Sequence, residues 1–175
     1  RKNIWIATSN GINCIDYKTK KITRFYPKSI NKECTTNIIN RLLKHSDGNV
    51  YAFCNRSVFK CSMNQTVETV FPDIAIPSPT YSVAQAPDKD IYIGTESNGL
   101  YIYSENWKLK KHVPIDGIIA TILPDNNGDI WLGLDETGIC LFNKNKQTFT
   151  WLHKDNTNLN NNSIRTFVSY GDSSI

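Results

Sequence analysis

The chain has 175 residues, a formal net charge of +4 from 20 Lys and Arg against 16 Asp and Glu, 39% hydrophobic and 21% charged residues, and five cysteines. That is enough sequence to bury a real core, with an ordinary globular composition. No apolar run approaches the roughly 18 residues that cross a bilayer, so a spanning helix is excluded. The chain starts at Arg1 without an initiator Met and stops inside a repeat, so it reads as a piece of something longer.

Taken in order, the sequence repeats one unit of four short strands, A to D. The first unit opens directly on a strand B, Ile4-Trp5-Ile6-Ala7-Thr8, turns through Ser9-Asn10-Gly11, and continues as strand C (12–17) and strand D (22–26). Its strand A is missing. The second unit supplies A (38–44), the turn His45-Ser46-Asp47-Gly48-Asn49, B at Val50-Tyr51-Ala52-Phe53-Cys54, a turn at Asn55-Arg56, then C (58–62) and D (66–71). It is degenerate, without the Gly-Thr and the turn glycine of the other units.

The third unit reads A (81–86), B (90–95), the turn Glu96-Ser97-Asn98-Gly99, C (100–104) and D (108–113). The fourth reads A (118–123), B through Ile130-Trp131-Leu132-Gly133-Leu134, the turn Asp135-Glu136-Thr137-Gly138, C (139–143) and D (148–152). After the asparagine-rich stretch 156–162, residues 164–169 are expected as strand A of a further repeat.

The strand assignments rest on β-branched and aromatic enrichment bounded by Asn, Asp and Gly turns. Strand D is the most polar, as an outer edge strand should be. The strand-B aromatics Trp5, Tyr51, Tyr92 and Trp131 lie 46, 41 and 39 residues apart. A period in the forties with four strands per unit is the mark of a β-propeller. The expected fold is therefore an all-β propeller, about four blades' worth of four-stranded antiparallel sheets over residues 1–175. Recurrence at one strand position assigns the four aromatics to packing between blades.

Few residues suggest chemistry. Asp125, Asn127, Asp129 and Glu136 fall near calcium-loop spacing, but Ile130 stands where that loop needs glycine, so a hairpin turn is expected and no metal. His45, His112 and His153 lie in different strand types and form no HExxH or other catalytic motif; exposed or edge positions are expected for them. The acids sit in turns without a close pair. Cys14, Cys61 and Cys140 fall in strand C of different units, and none of the five cysteines forms CxxC; all are read as small buried apolar residues. Asn-x-Ser/Thr triplets at Asn55, Asn64 and Asn161 are expected by chance in an asparagine-rich chain. Trp107 and Trp151, near strands D, either cover the next blade or stack on a ligand. Scattered lysines read as a solvated rim and not as a nucleic-acid footprint.

The unit Asp125-x-x-Gly128-x-Ile130-Trp131-Leu132-Gly133 with Thr137-Gly138-Ile139 and Phe149-x-Trp151-x-His153-x-Asp155 resembles the two-component regulator propeller repeat. So do Asn158-Leu159-Asn160-Asn161-Asn162-Ser163-Ile164 and Ile4-Trp5-Ile6-Ala7-Thr8 with Asn10-Gly11. The resemblance covers the whole chain and implies that these blades are part of a seven-bladed ring. It implies the periplasmic sensor region of a hybrid two-component histidine kinase and response regulator, anchored in the inner membrane through its parent chain, homodimeric there, and regulating transcription in response to oligosaccharides. It implies no catalysis in this segment, no cofactor and no nucleic acid bound by it. Ligand residues vary across that family and are not carried over.

The residues themselves suggest a binding face where B–C and D–A loops open together. It would carry Asn10, Asn55, Arg56, Glu96, Asn98, Asp135 and Glu136, with the loop 154–162 beside them; Arg56 suits a sugar carboxylate or sulfate. Two other readings stand beside this one. An enzymatic propeller, such as a lyase or quinoprotein, would need a central cluster of acids, histidines or cofactor contacts that strands A do not carry. An intracellular interaction scaffold would come from a parent lacking both a signal peptide and a membrane helix.

Overall fold

The computed structural model describes residues 3–32, 34–70, 76 and 78–169. They form fifteen strands and one short helical turn, arranged in four antiparallel sheets that each follow chain order. Sheet 1 is β1 (Asn3–Thr8), β2 (Gly11–Asp16) and β3 (Ile22–Phe25), followed by the turn α1 (Pro27–Ile30). Sheet 2 is β4 (Arg41–Lys44), β5 (Val50–Cys54), β6 (Ser57–Cys61) and β7 (Val67–Val70). Sheet 3 is β8 (Thr80–Gln85), β9 (Ile91–Thr95), β10 (Leu100–Tyr103) and β11 (Leu109–Val113). Sheet 4 is β12 (Ile119–Pro124), β13 (Asp129–Leu134), β14 (Gly138–Asn143) and β15 (Thr148–Leu152). The repeat reading is matched from the first strand B through strand D of the fourth unit, including the three-stranded first sheet.

The chain divides into two compact units, Arg1–Thr80 and Tyr81–Ile175. In the second, the side-chain alternation of a strand decides what is buried. Ile130, Leu132 and Leu134 of β13 point one way and pack with Tyr92, Leu100 and Ile102 of sheet 3. Trp131 and Gly133 point the other way. Tyr92, on the equivalent face of β9, is covered by sheet 4 and is 0% exposed. Trp131 is only half-buried, because no further sheet covers its face among the described residues. The expectation that strand-B aromatics are sealed between blades is thus met for Tyr92 but not for Trp131 or the half-buried Trp5; Tyr51 is buried.

The first unit shows the mirror case. Trp5 and Ala7 pack toward sheet 2 against a core of Ile12, Ala52, Cys54, Phe59 and Cys61. The opposite face of β1 leaves Ile4 47% and Ile6 37% exposed, although these occupy the places that Ile130 and Leu132 fill in sheet 4.

Glycine at the fourth position of the B segment has a packing reason. A Cβ on Gly94 would stand 2.6 Å from Ile119 Cγ2 and 2.3 Å from Ser82 Oγ. The Ser82 hydroxyl itself donates to the Ile119 carbonyl (2.6 Å), across the two sheets. A Cβ on Gly133 would stand 2.5 Å from Ile164 Cγ2. Ile164 therefore sits on sheet 4 as Ile119 sits on sheet 3. Residues 164–169, expected as a strand A, nevertheless pair with no strand among the described residues. An inner strand takes its ladder from the strand B that follows it, and no such strand follows here among the described residues.

The A–B turns are built around an aspartate. Asp125 Oδ1 accepts the N–H groups of Asn127 (2.8 Å) and Asp129 (3.0 Å), and Oδ2 accepts the Trp131 indole N–H (3.2 Å). This is the hairpin turn read from the sequence. Asp47 repeats it, accepting from Asn49 N–H (2.8 Å) and the Tyr51 hydroxyl (2.9 Å). Each turn thus grips the polar handle of its own aromatic. His45, expected at an exposed or edge site, is buried, because its ring meets Tyr51 edge-on at 5.0 Å and takes the Asp47 N–H (3.1 Å). In the second unit, Asp90 is nearly buried and receives Lys110 and Lys144, each at 2.6 Å. Lys144 reaches it from the β14–β15 turn of the neighbouring sheet and also pairs with Asp88. That double pairing offsets the cost of burying the carboxylate.

Two expectations follow. Tyr92→Ala should destabilise by about 3–5 kcal/mol and Trp131→Ala by only about 1–2 kcal/mol in urea melts, since one ring is sealed and the other is not; equal losses would contradict the alternation. Burial opposes ionisation of Asp47, but the Asn49 and Tyr51 hydrogen bonds outweigh it and hold the carboxyl at about 2. Its stabilising contribution is then complete above pH ~4 and disappears as pH falls through about 2. After discounting for its partial exposure, Asp47→Asn should cost about 1 kcal/mol at pH 7, and the difference from wild type should shrink progressively below pH ~4.

Candidate functional site

One pair of main-chain bonds recurs where a sheet hands over to the next repeat. In the first unit the Gly11 N–H donates to the Asn37 carbonyl (2.8 Å) and the Ile39 N–H to the Thr8 carbonyl (3.0 Å). In the second unit the Gly138 N–H donates to Asn162 (2.7 Å) and the Ile164 N–H to Leu134 (2.9 Å). Each clip ties a B–C turn to the loop that leaves strand D. Glycine is needed at Gly138, where φ is +95° and a Cβ would lie 2.4 Å from the Leu152 carbonyl oxygen. The sequence-derived binding face is built on these clips.

The structure distributes the expected residues as follows. Asn10 is exposed on the β1–β2 turn and accepts from the Asn37 side chain (3.3 Å), so it supports the first clip. Arg56 is exposed on the β5–β6 turn, beside Asn55, which takes the positive φ (54°) that glycine would otherwise supply. Glu96 is exposed on the β9–β10 turn. Asn98 there accepts the His112 Nε2–H on its carbonyl (2.7 Å), and His112 stacks on Tyr101 at 4.4 Å. Glu136 is exposed, with its N–H bonded to the Ser163 hydroxyl (3.2 Å). Asp135 lies 3.5 Å from the Arg165 guanidinium through Oδ2, while its Oδ1 is buried without a hydrogen-bond partner among the described residues.

In the second unit a cleft of about 460 Å³ opens at this end of the sheets, lined by Pro114, Ile115, Asp116, Thr137, Trp151 and His153. Trp151 and His153 stack with ring centres 6.0 Å apart and planes 3° from parallel. The His153 Nδ1–H donates to the Thr137 carbonyl (2.8 Å). Asn156 braces the strand end, donating from its amide to the Trp151 carbonyl (3.0 Å) and accepting the His153 N–H (2.6 Å). The cleft thus has an apolar floor, a flat aromatic wall and an acid at its rim. Trp151 is half-buried, packs against the core of the second unit and presents its remaining surface to the cleft, whereas Trp107 is buried and packs. Asp116, Thr137 and His153 were not singled out as site residues. Their one sequence signal was position, at the strand-D ends and turns of adjacent repeats.

A second cleft, of about 570 Å³, lies in the first unit at the opposite end of its sheets, among the A–B and C–D turns. It is lined by Ile4, Trp5, Tyr17, Lys44 and Met63 among others and offers few polar groups. Among the described residues no cluster of three or more His, Cys, Asp or Glu could hold a metal, and no helix is long and apolar enough to cross a membrane.

Removing the His153 ring should loosen the loop it pins. In His153→Ala, amides of residues 154–163 should exchange about tenfold faster while those of β13 keep their protection; unchanged loop exchange would deny the ring this role.

No protein-family model matches the chain, and no curated protein matches it. Solved structures do. The extracellular domain of a hybrid two-component system from B. thetaiotaomicron superposes with a TM-score of 0.74 at 20% identity, over 94% of this chain and 23% of that one. A second such extracellular domain from the same organism gives a TM-score of 0.66 at 27% identity, over 85% of this chain and 21% of that one. Virginiamycin B lyase from Staphylococcus aureus gives 0.62 at 21% identity, over 85% of this chain and 50% of the lyase. At such identities the lyase shares the fold alone. The chain spans under a quarter of the two-component domains it matches. The resemblance read from the repeats therefore has its counterpart in solved structures: an all-β propeller segment similar to the extracellular domains of hybrid two-component systems.

Proposed function

We propose that this segment belongs to the ligand-sensing, periplasmic part of a membrane-anchored hybrid two-component regulator, that it recognises an oligosaccharide, and that binding is passed to a kinase elsewhere in a homodimeric parent chain that regulates transcription. The segment itself is a binding module and not an enzyme. The observation that carries the reading is the Trp151–His153 wall beside Asp116 and Thr137, in a fold similar to the extracellular domain of a hybrid two-component system.

The chemistry fits a sugar. A pyranose presents an apolar C–H face to an aromatic plane and hydroxyls around its edge. In the second unit the indole and imidazole supply the plane, and Asp116 and Thr137 supply rim groups. The buried, unpartnered Asp135 Oδ1 is an acceptor still to be satisfied, and Glu96, Asn98 and Glu136 stand on turns of the same unit. In the first unit, Asn10 and Arg56 occupy the corresponding turns. Arg56 would give a preference for a carboxylated or sulfated glycan, in keeping with the positive net charge.

Calorimetry of the complete extracellular region against a panel of neutral and anionic oligosaccharides tests this. The expected result is binding by at least one glycan, weakened about tenfold, or about 1.4 kcal/mol, by Trp151→Ala, and weakened also by Asp135→Ala. Arg56→Ala should act on anionic glycans only. Binding that survives all three substitutions would remove the site from this segment, and absence of binding across the panel would remove the glycan.

A further inference from the structure

We propose that Cys34 and Cys54 are a redox pair that closes to a disulfide and locks the link between the first two repeats. The two sulfurs lie 3.2 Å apart, and both are 3.3 Å from the Thr36 carbonyl oxygen, so they share one acceptor. Both residues are buried in the core of the first unit, Cys34 6% exposed and Cys54 0%. A bond needs about 2.05 Å between the sulfurs, so a movement of about 1 Å closes it. No bond joins the two sulfurs in the structure.

The placement gives the bond a consequence. Cys34 lies in the link after α1, where its N–H donates to the Asn31 carbonyl (3.0 Å). Cys54 ends β5, the strand B of sheet 2. Between them in the link stands Asn37, whose carbonyl takes the Gly11 N–H and whose side chain meets Asn10. The disulfide would therefore staple the clip of the first unit to the sheet that follows it. Cys14 and Cys61, also buried in this unit, are the competing pair.

The oxidant is a small disulfide or a thiol–disulfide oxidoreductase, written RSSR. Cys34, the more exposed thiol and the one on a link, attacks as thiolate and forms Cys34–S–S–R with release of RS⁻. The Cys54 thiolate then attacks the Cys34 sulfur, forms the Cys34–Cys54 bond and expels the second RS⁻. The two thiol protons end on the two RS⁻, so two protein thiols are oxidised and RSSR is reduced to two RSH. Burial, followed by the adjacent Cys34 thiol, pushes the Cys54 thiol far above its ordinary value. The second step therefore runs while the link is open, during folding or a local opening.

Tryptic mapping reads the outcome directly, because each cysteine falls in a different peptide: cleavage at Lys32, Arg41, Lys44 and Arg56 places Cys34 in 33–41 and Cys54 in 45–56. The full chain is refolded in an oxidised-glutathione buffer, unfolded in N-ethylmaleimide and digested without reductant. The expected result is peptide 33–41 joined to 45–56, with Cys14, Cys61 and Cys140 alkylated. Oxidised protein should also melt several degrees higher than reduced protein, and Cys34→Ser should abolish that difference and leave Cys54 alkylated. Full alkylation of Cys34 and Cys54, a Cys14–Cys61 bridge in their place, or the mixture of pairings that an unfolded chain gives would each overturn the proposal.

Discussion

In each compact unit one pair of main-chain hydrogen bonds seats the chain leaving a sheet back onto that sheet, and the candidate site depends on that joint. The N–H of a turn glycine is taken by an asparagine carbonyl in the outgoing loop, and the N–H of the incoming isoleucine is taken by the carbonyl that ends strand B. The joint is seen with Gly11, Asn37, Ile39 and Thr8 in one unit and with Gly138, Asn162, Ile164 and Leu134 in the other. In the second unit Gly94 and Gly133, by lacking a Cβ, also let Ile119 and Ile164 approach the sheet backbone closely. Backbone donors and acceptors buried at a seam must be paired somewhere. Pairing them across the seam orients the next sheet at the same time.

That geometry explains why the candidate site lies where it does. The clip draws a B–C turn and an outgoing loop together at one end of the sheets. The same end collects the strand-D termini, and with them Trp151 and His153. Polar turn residues are tolerated there because they face water, and the aromatic pair is tolerated because Asn156 braces its backbone and the Thr137 carbonyl holds the His153 ring. The opposite end is shaped by the aspartate-centred A–B turns, whose carboxylates are occupied by their own backbone and aromatics. Binding potential and structural reinforcement are therefore separated to opposite ends.

Strand identity, turn positions and the missing first strand A were legible because they follow from period, composition and turn chemistry, which one sequence displays. Burial of the four aromatics was less legible. Tyr92 and Trp131 hold the same place in their repeats, and only the presence of a sheet on one face separates them. Residues 164–169 have the composition of an inner strand, yet a strand exists only with a partner ladder. At the site, Trp151 was within reach of inference, while His153 and Thr137 were not, since their bond joins a side chain to a backbone carbonyl 16 residues away. The Cys34–Cys54 contact was hidden for the same reason: one cysteine sits in a strand and the other in a link with no repeating position. Lys144 was read as rim charge, but its partner Asp90 is supplied by a different sheet.

Amide hydrogen exchange at the clips tests the central claim most directly. If the repeats are joined as described, the N–H groups of Gly11, Ile39, Gly138 and Ile164 exchange at rates comparable to the inner amides of β5 and β13, although all four stand at strand ends or in links. Exchange of these four at the rate of the solvent-facing turn amides, with the strands themselves protected, would contradict it.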